Sequence, residues 1–201
     1  MSTSVLRRAQ AGNVISVFRV GLPATIELRG TEGRTANVSD ELVIREARDN
    51  ELEIVASLVV DAYGEFAARM APDAWSSFAQ DIANVRGRTI DAEVLVAERD
   101  GRIVGTVTRY RDWRGAQQDA SAVRVLAVPP PERGSGVGRA LMEHCIALAR
   151  DEHKERVVLA VTQEMEEARD LYDRLGFERA PDLDHMPAPG VRAIGYALHL
   201  H

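Results

Sequence analysis

The chain holds a single cysteine, Cys145, so no disulfide can form within it. It also lacks any apolar run of the ~18 residues or more that would read as a membrane-spanning helix. Arg7 and Arg8 precede a mildly apolar stretch, but Gly12 and Asn13 interrupt it and no small-residue cleavage pattern follows, which argues against a secretory leader. These absences point to a reducing cytoplasm and away from a membrane. The histidines, His144, His153, His185, His199 and His201, are scattered, and neither H-E-x-x-H nor a Cys-His spacing suited to zinc occurs. No metal is expected. Cys145 shares a helical face with Leu141 and Leu148, where a thiol reads as a small core hydrophobe rather than a nucleophile.

Basic charge is in deficit: 25 Lys and Arg against 31 Asp and Glu give a formal charge of -6. Residues 1–40 run the other way, with Arg7, Arg8, Arg19, Arg29 and Arg34 against Glu27, Glu32 and Asp40. The body is therefore the acidic part, which disfavours non-specific nucleic-acid binding and tolerates a cationic amine. At 201 residues and 45% hydrophobic, the chain suffices for one substantial core and is short for two.

The most informative stretch that is present is Arg133-Gly134-Ser135-Gly136-Val137-Gly138, which follows the apolar run 123–128 and opens onto a helical segment from Arg139 to Arg150. Closely spaced glycines let backbone approach an anion, and a helix starting there aims free N–H groups and its positive dipole end at the same spot. A diphosphate suits such a cradle. The P-loop is excluded, because Arg139-Ala140 stands where Lys and Ser or Thr are needed. The dinucleotide fingerprint is excluded too, because the spacing is G-x-G-x-G and no clear acidic-ended strand follows.

What fits is R-x-x-G-x-G after the strand-like Val125-Leu126-Ala127-Val128-Pro129, which resembles the acyl-CoA-binding motif of the GNAT superfamily of N-acetyltransferases. About thirty residues on, Ala168-Arg169-Asp170-Leu171-Tyr172-Asp173-Arg174-Leu175-Gly176-Phe177 resembles the second family motif, A-x-x-L-Y-x-x-L-G-F. The similarity covers residues 42–200. It implies a mixed α/β fold: a central, mostly antiparallel sheet splayed at the CoA site and flanked by about four helices, in the order β-α-α-β-β-β-α-β-α-β-β.

The periodicities agree with that order. Leu52, Val55, Ala56, Val59 and Ala62 recur at helical steps within 49–68, with Tyr63-Gly64 as the stop, and a weaker helix runs from Ala74 to Val85. Residues 93–98 and 103–110 are β-rich and separated by Asp100-Gly101, a strong hairpin signal. Strands follow at 122–128 and 157–161. The segment Glu164 to Leu175 carries Met165, Ala168, Tyr172 and Leu175 on one stripe, so Tyr172 faces inward, and Gly176 ends it. Ile194, Tyr196, Leu198 and Leu200 alternate in a closing strand. Residues 1–40 form an extension to a domain at 41–201, with strand-like pieces at Val14 to Val20 and Ala24 to Leu28. Disorder, added edge strands and a misassigned translation start all fit this extension.

The resemblance also implies roles. Backbone N–H groups between Gly134 and Arg139, among them those of Ser135, Val137 and Gly138, would hold the diphosphate of acetyl-CoA, with the guanidinium groups of Arg133 and Arg139 as helpers. Backbone groups of Leu126, Ala127 and Val128 would pair with the pantetheine arm where the sheet parts before Pro129. Tyr172 would serve the departing thiolate as general acid or hydrogen-bond donor. No residue announces itself as general base; Glu65, Tyr63 and Asp119 are candidates, each equally an ordinary polar residue. The family's frequent Asn before the second motif is Met165 here, which reads as packing. The acceptor would be a primary amine of a small molecule or peptide, chosen by loops at 63–72, 111–121 and 181–190. A CoA-binding sensor without catalysis is the alternative, a nucleic-acid-directed enzyme fits the acidic body poorly, and dimers through the terminal strand follow from the family alone.

Overall fold

The computed structural model describes residues 16–18, 41–112, 119–188 and 191–200. Local sequence explains its first hairpin. Strands β3 (Glu93–Arg99) and β4 (Arg102–Tyr110) pair from Arg99↔Arg102 outward, and both turn residues are left-handed, Asp100 at φ 52° and Gly101 at φ 73°. That is the turn Asp-Gly favours, because its twist matches that of the strands. β2 (Leu42–Glu46) lies antiparallel on the far edge of β3, and β1 (Ser16–Phe18) pairs with β2 through Val17↔Val43. The strand-like piece at Ala24 to Leu28 lies outside the described residues, as does most of 1–40.

β5 (Ala120–Ala127) runs antiparallel to β4, and β6 (Arg156–Thr162) parallel to β5. A parallel pair needs a crossover, supplied here by the amphipathic helix α4 (Val137–Asp151). β9 (Val191–His199) pairs antiparallel with β6, and the short strands β7 (Glu178–Arg179) and β8 (His185–Ala188) both pair with β9. Among the described residues this makes a 9-stranded sheet in the order β1-β2-β3-β4-β5-β6-β9-β7, with β8 also on β9. β9 is thus paired with β6 on one edge and with β7 and β8 on the other.

Both sheet faces are covered. Leu141, Met142 and Cys145 of α4 bury against Leu42, Ile44, Val107, Val123 and Leu159, and α5 (Glu166–Arg174) adds Tyr172 to that layer. On the opposite face α1 (Leu52–Tyr63), α2 (Pro72–Ala83) and the single turn α3 (Val85–Arg88) place Val55, Val59, Ala62, Ile82 and Val85 on Val94, Val96 and Ala127. Each fully buried aliphatic side chain contributes about 1.5–3 kcal/mol. Among the described residues there are five helices, because α3 splits from α2 at Asn84, whose side chain caps the new turn through Gly87 N. The helical pattern over 49–68 likewise divides into 3-10 turns, Asp49–Glu51 and Gly64–Arg69, around α1.

Candidate active site

β5 and β6 stay paired only from Ala120↔Arg156 to Val123↔Leu159. Beyond that point β5 remains on β4 as far as Ala127↔Thr106, while β6 remains on β9 as far as Thr162↔Ala193. The sheet therefore opens from Arg124 and Ala160 onward, several residues before Pro129, where the prolines would end pairing. A bulge accompanies the parting: Thr106↔Ala127 and Thr108↔Arg124 set two steps on β4 against three on β5, and Val125 stands at φ 52°. A β-branched residue in that region is strained by about 1–3 kcal/mol, so the surrounding fold must hold it there.

The parted strands floor a cleft of about 1790 Å³, lined by residues 123–127 of β5 with Val128 after it, 159–162 of β6, the glycine run and α5, and by Tyr63, Phe66 and Phe78. Its size exceeds the ~300–1,000 Å³ of ordinary ligand pockets. The 3-10 connection between α1 and α2 contributes Glu65, Phe66 and Arg69 to its wall.

At the end of the opening, Gly134 (φ 75°) and Gly136 (φ 85°) turn the chain into α4, and a Cβ at either would meet nothing within 4 Å. Both are therefore required by backbone conformation and leave the cradle bare toward the cleft. Gly136 caps α4 without a side-chain acceptor, so the first N–H groups of the helix, those of Val137, Gly138 and Arg139, have no intrahelical partner. Gly138 also lines the cleft, where a Cβ would sit 3.5 Å from Leu171 and 3.6 Å from Val128, ordinary contact. Ser135 turns its hydroxyl to the Glu132 carbonyl at 2.6 Å and is not among the lining residues.

The arginines of the motif are engaged with protein. Arg133 donates to the carbonyls of Val128 (3.2 Å) and Ala62 (3.0 Å) and pairs with Glu65 at 2.5 Å, tying the cradle to the end of β5 and to α1. Arg139 is more than half exposed and pairs with Glu143 at 2.7 Å, one helical turn on. Leu126, Ala127 and Val128 all line the cleft, and the bulge takes one residue of this stretch out of the ladder with β4.

Tyr172 reaches the cleft from α5 while its side chain packs among Phe177 (ring centroids 5.8 Å) and Tyr196 (6.3 Å). Burial raises its phenol well above the ordinary value, so it is protonated at neutral pH. Tyr63 donates from its hydroxyl to the Leu126 carbonyl at 3.0 Å, and burial pushes it up to about 12, which makes it a donor rather than a base. Asp119 lies at the opposite end of β5 and is not among the lining residues; its carboxylate is 3.7 Å from Arg156 and its carbonyl accepts from Glu155 N. Glu65 alone of the three candidate bases combines a carboxylate with a place in the cleft wall. Met165 packs against the core at the start of α5. Cys145 is buried, with its thiol pushed up to about 12 by burial, which leaves it unreactive. Among the described residues no cluster of His, Cys, Asp and Glu side chains could hold a metal ion, and no helix is long and apolar enough to cross a membrane.

Local sequence carries little sign of the bulge or of the early parting. Val125 carries no glycine or proline signal, and Arg124 interrupts an otherwise apolar strand, the single local hint that this strand borders a polar space.

A family model described as Acetyltransferase (GNAT) family matches residues 53–177. The chain is 37% identical over 90 residues to a mycothiol acetyltransferase of Thermobispora bispora, covering 44% of this chain and 30% of that protein. It is 37% identical over 84 residues to the 5-NmdU N-acetyltransferase of Pseudomonas phage PaMx11, covering 42% of this chain and 56% of that one. The chain thus spans about a third to a half of the length of these curated relatives. In fold it is similar to a GNAT-family acetyltransferase of Staphylococcus aureus Mu50, with TM-score 0.64 at 19% identity over 80% of this chain and 99% of that one. It is similar also to yncA of Salmonella typhimurium, solved with acetyl-CoA, with TM-score 0.58 at 20% identity over 80% and 94% of the two chains. With the family model covering more than half of its length, and with a sheet parted beside a glycine cradle, this chain belongs to the GNAT acetyltransferase family.

Proposed function

We propose that the chain is an N-acetyltransferase that moves the acetyl group of acetyl-CoA to a primary amine of a small molecule or peptide, by direct attack within a ternary complex. The observation that carries this reading is the convergence on one cleft of the bare cradle at Gly134 and Gly136, the parted strands and Tyr172.

The residues present fit the cosubstrate. The unpaired N–H groups at the start of α4 suit a diphosphate, and the bulged, half-paired stretch Leu126 to Val128 suits a pantetheine arm lying along it as an added strand. Arg139 is free enough to swing from Glu143 toward a phosphate, whereas Arg133 acts as a brace. When bound, acetyl-CoA supplies the thioester whose carbonyl carbon the amine attacks, with the thiolate as leaving group.

Tyr172 presents a protonated hydroxyl to the departing sulfur, and because burial raises its pKa it serves as a hydrogen-bond donor to the thiolate rather than as a strong acid. Glu65, the one carboxylate of the three candidates in the cleft wall, would take the amine proton, directly or through water. The amine itself is not carried over from relatives, because those named for mycothiol, 5-NmdU and N-acetylaspartate differ in acceptor.

The test is incubation of purified protein with acetyl-CoA and a broad amine panel, following free thiol and acetylated product. Turnover with one amine class supports the reading. Tight CoA binding without thiol release from any amine would show a sensor instead, and absence of CoA binding would overturn the assignment of the cleft.

A further inference from the structure

We infer that Arg124, with Thr162 on the same face of the parted strands, binds a carboxylate of the acceptor, so that the substrate is an amine that also carries a carboxylate. This rests on the transferase reading and names the substrate class for the same cleft.

Arg124 is a charged residue in the middle of the sheet, between Val123 at 2% exposure and Ala127 at 1% along the strand. Its side chain is about half exposed and looks into the cleft, so the guanidinium is open to a ligand. Within the protein its recorded partner is Asp81 Oδ2 at 3.5 Å, and that carboxylate is itself more than half exposed, so the pair is worth about 0–1 kcal/mol at most. Two other arginines at the cleft are better engaged: Arg133 with Glu65, and Arg111 with Glu93 and Glu152.

A second arginine stands close to Arg124. Behind this wall Arg88 is buried at 7% exposure, and its guanidinium donates to the carbonyls of Asp81 (2.6 Å) and Ile82 (2.5 Å) rather than to a carboxylate. Burial and the charge of Arg124 both work against its protonated form. The C-terminal end of α2 offsets part of this charge, yet two cations face a single exposed acid. An anion at Arg124 relieves that imbalance, and a bidentate geometry on the guanidinium would add to the attraction.

Thr162 is the independent sign. It lies at 5% exposure at the end of β6, lines the cleft, and its buried Oγ1 has no hydrogen-bond partner. An unmatched buried hydroxyl costs about 1–3 kcal/mol, which a ligand acceptor would recover. Register puts the two side chains on one face: Val123 and Leu159 pair and enter the core under α4, so Arg124 and Ala160 face the other way, and Thr162 follows Ala160 by one strand period. A carboxylate has one oxygen for the guanidinium and a second for the hydroxyl.

The test compares matched pairs of primary amines, each L-amino acid beside its own carboxamide, with acetyl-CoA titrations as control. The expected result is a kcat/KM at least about tenfold higher for the acid of the best pair, the lower end for a charged hydrogen bond. Arg124→Gln should erase that preference through KM, Arg124→Lys should restore part of it, and Thr162→Val should weaken it where Thr162→Ser does not. Acetyl-CoA affinity should stay unchanged in all four variants. Equal turnover of acid and amide, or an acid preference that survives Arg124→Gln, overturns the inference while leaving the transferase reading intact. Transfer to no amine despite bound acetyl-CoA overturns both.

Discussion

The hydroxyl of Tyr63, at the last position of α1, donates a 3.0 Å hydrogen bond to the carbonyl of Leu126, inside the bulge of β5. This bond ties the helical wall of the cleft to the strand segment that parts from β6. Burial holds the phenol at about 12, so the donor is not lost at any pH the protein would meet in a cell.

Tyr63→Phe removes that tie without opening a cavity. The folded state should lose about 0.5–1.5 kcal/mol, one neutral hydrogen bond, and kcat/KM should fall about tenfold as the bulge shifts. Thermal melting and thiol-release kinetics on the same preparation check both figures.

Tyr172→Phe keeps the ring contacts with Phe177 and Tyr196 and deletes only the hydroxyl. We expect kcat to drop about 100-fold or more with acetyl-CoA affinity unchanged, since the lost interaction belongs to the leaving group. Because burial raises this phenol, the wild-type rate should show no decline from its ionisation up to about pH 10.

The glycines separate two requirements. At Gly138 a Cβ makes ordinary contact with Leu171 at 3.5 Å, so Gly138→Ala should melt close to wild type yet bind acetyl-CoA more weakly. At Gly105 a Cβ would come within 2.6 Å of Val137 Cγ1, so Gly105→Ala should lower the melting temperature by forcing β4 and α4 apart. Equal CoA affinity in Gly138→Ala and wild type would remove that glycine from the binding site.

Acid stability depends on Glu51. Its carboxylate accepts from Arg45 at 2.7 Å and from Arg48 N at 2.8 Å, and these bonds hold it at about 2, below the usual 4.5. A carboxylate depressed on folding stabilises the protein above its unfolded value, and that contribution is lost as pH falls from about 5 toward 2. Glu51→Gln should lower stability at pH 7 and flatten the decline over that window, measured by urea unfolding at several pH values.

Much was legible from local sequence because its physics is local. Asp100-Gly101 determined the hairpin through the left-handed φ values that this pair tolerates. The 3.6-residue spacing of Leu141, Cys145 and their neighbours determined which face of α4 is buried, and the same period turned Tyr172 inward. The glycine run determined the cradle, since only residues without a Cβ adopt the conformation of Gly134 and Gly136 at little cost.

Tertiary structure alone decided the rest. Val125 is held at a φ that its own side chain opposes, and the parting of β5 from β6 arises because β4 keeps one strand and β9 the other. Arg133, which by its place in the motif reads as a phosphate ligand, is bound to the carbonyl of Ala62, 71 residues away in sequence. Arg124 and Thr162 come onto one face only through the register of a parallel pair joined by α4. Such relations depend on competition among long-range partners for the same backbone and guanidinium groups, and no window of sequence contains all the competitors.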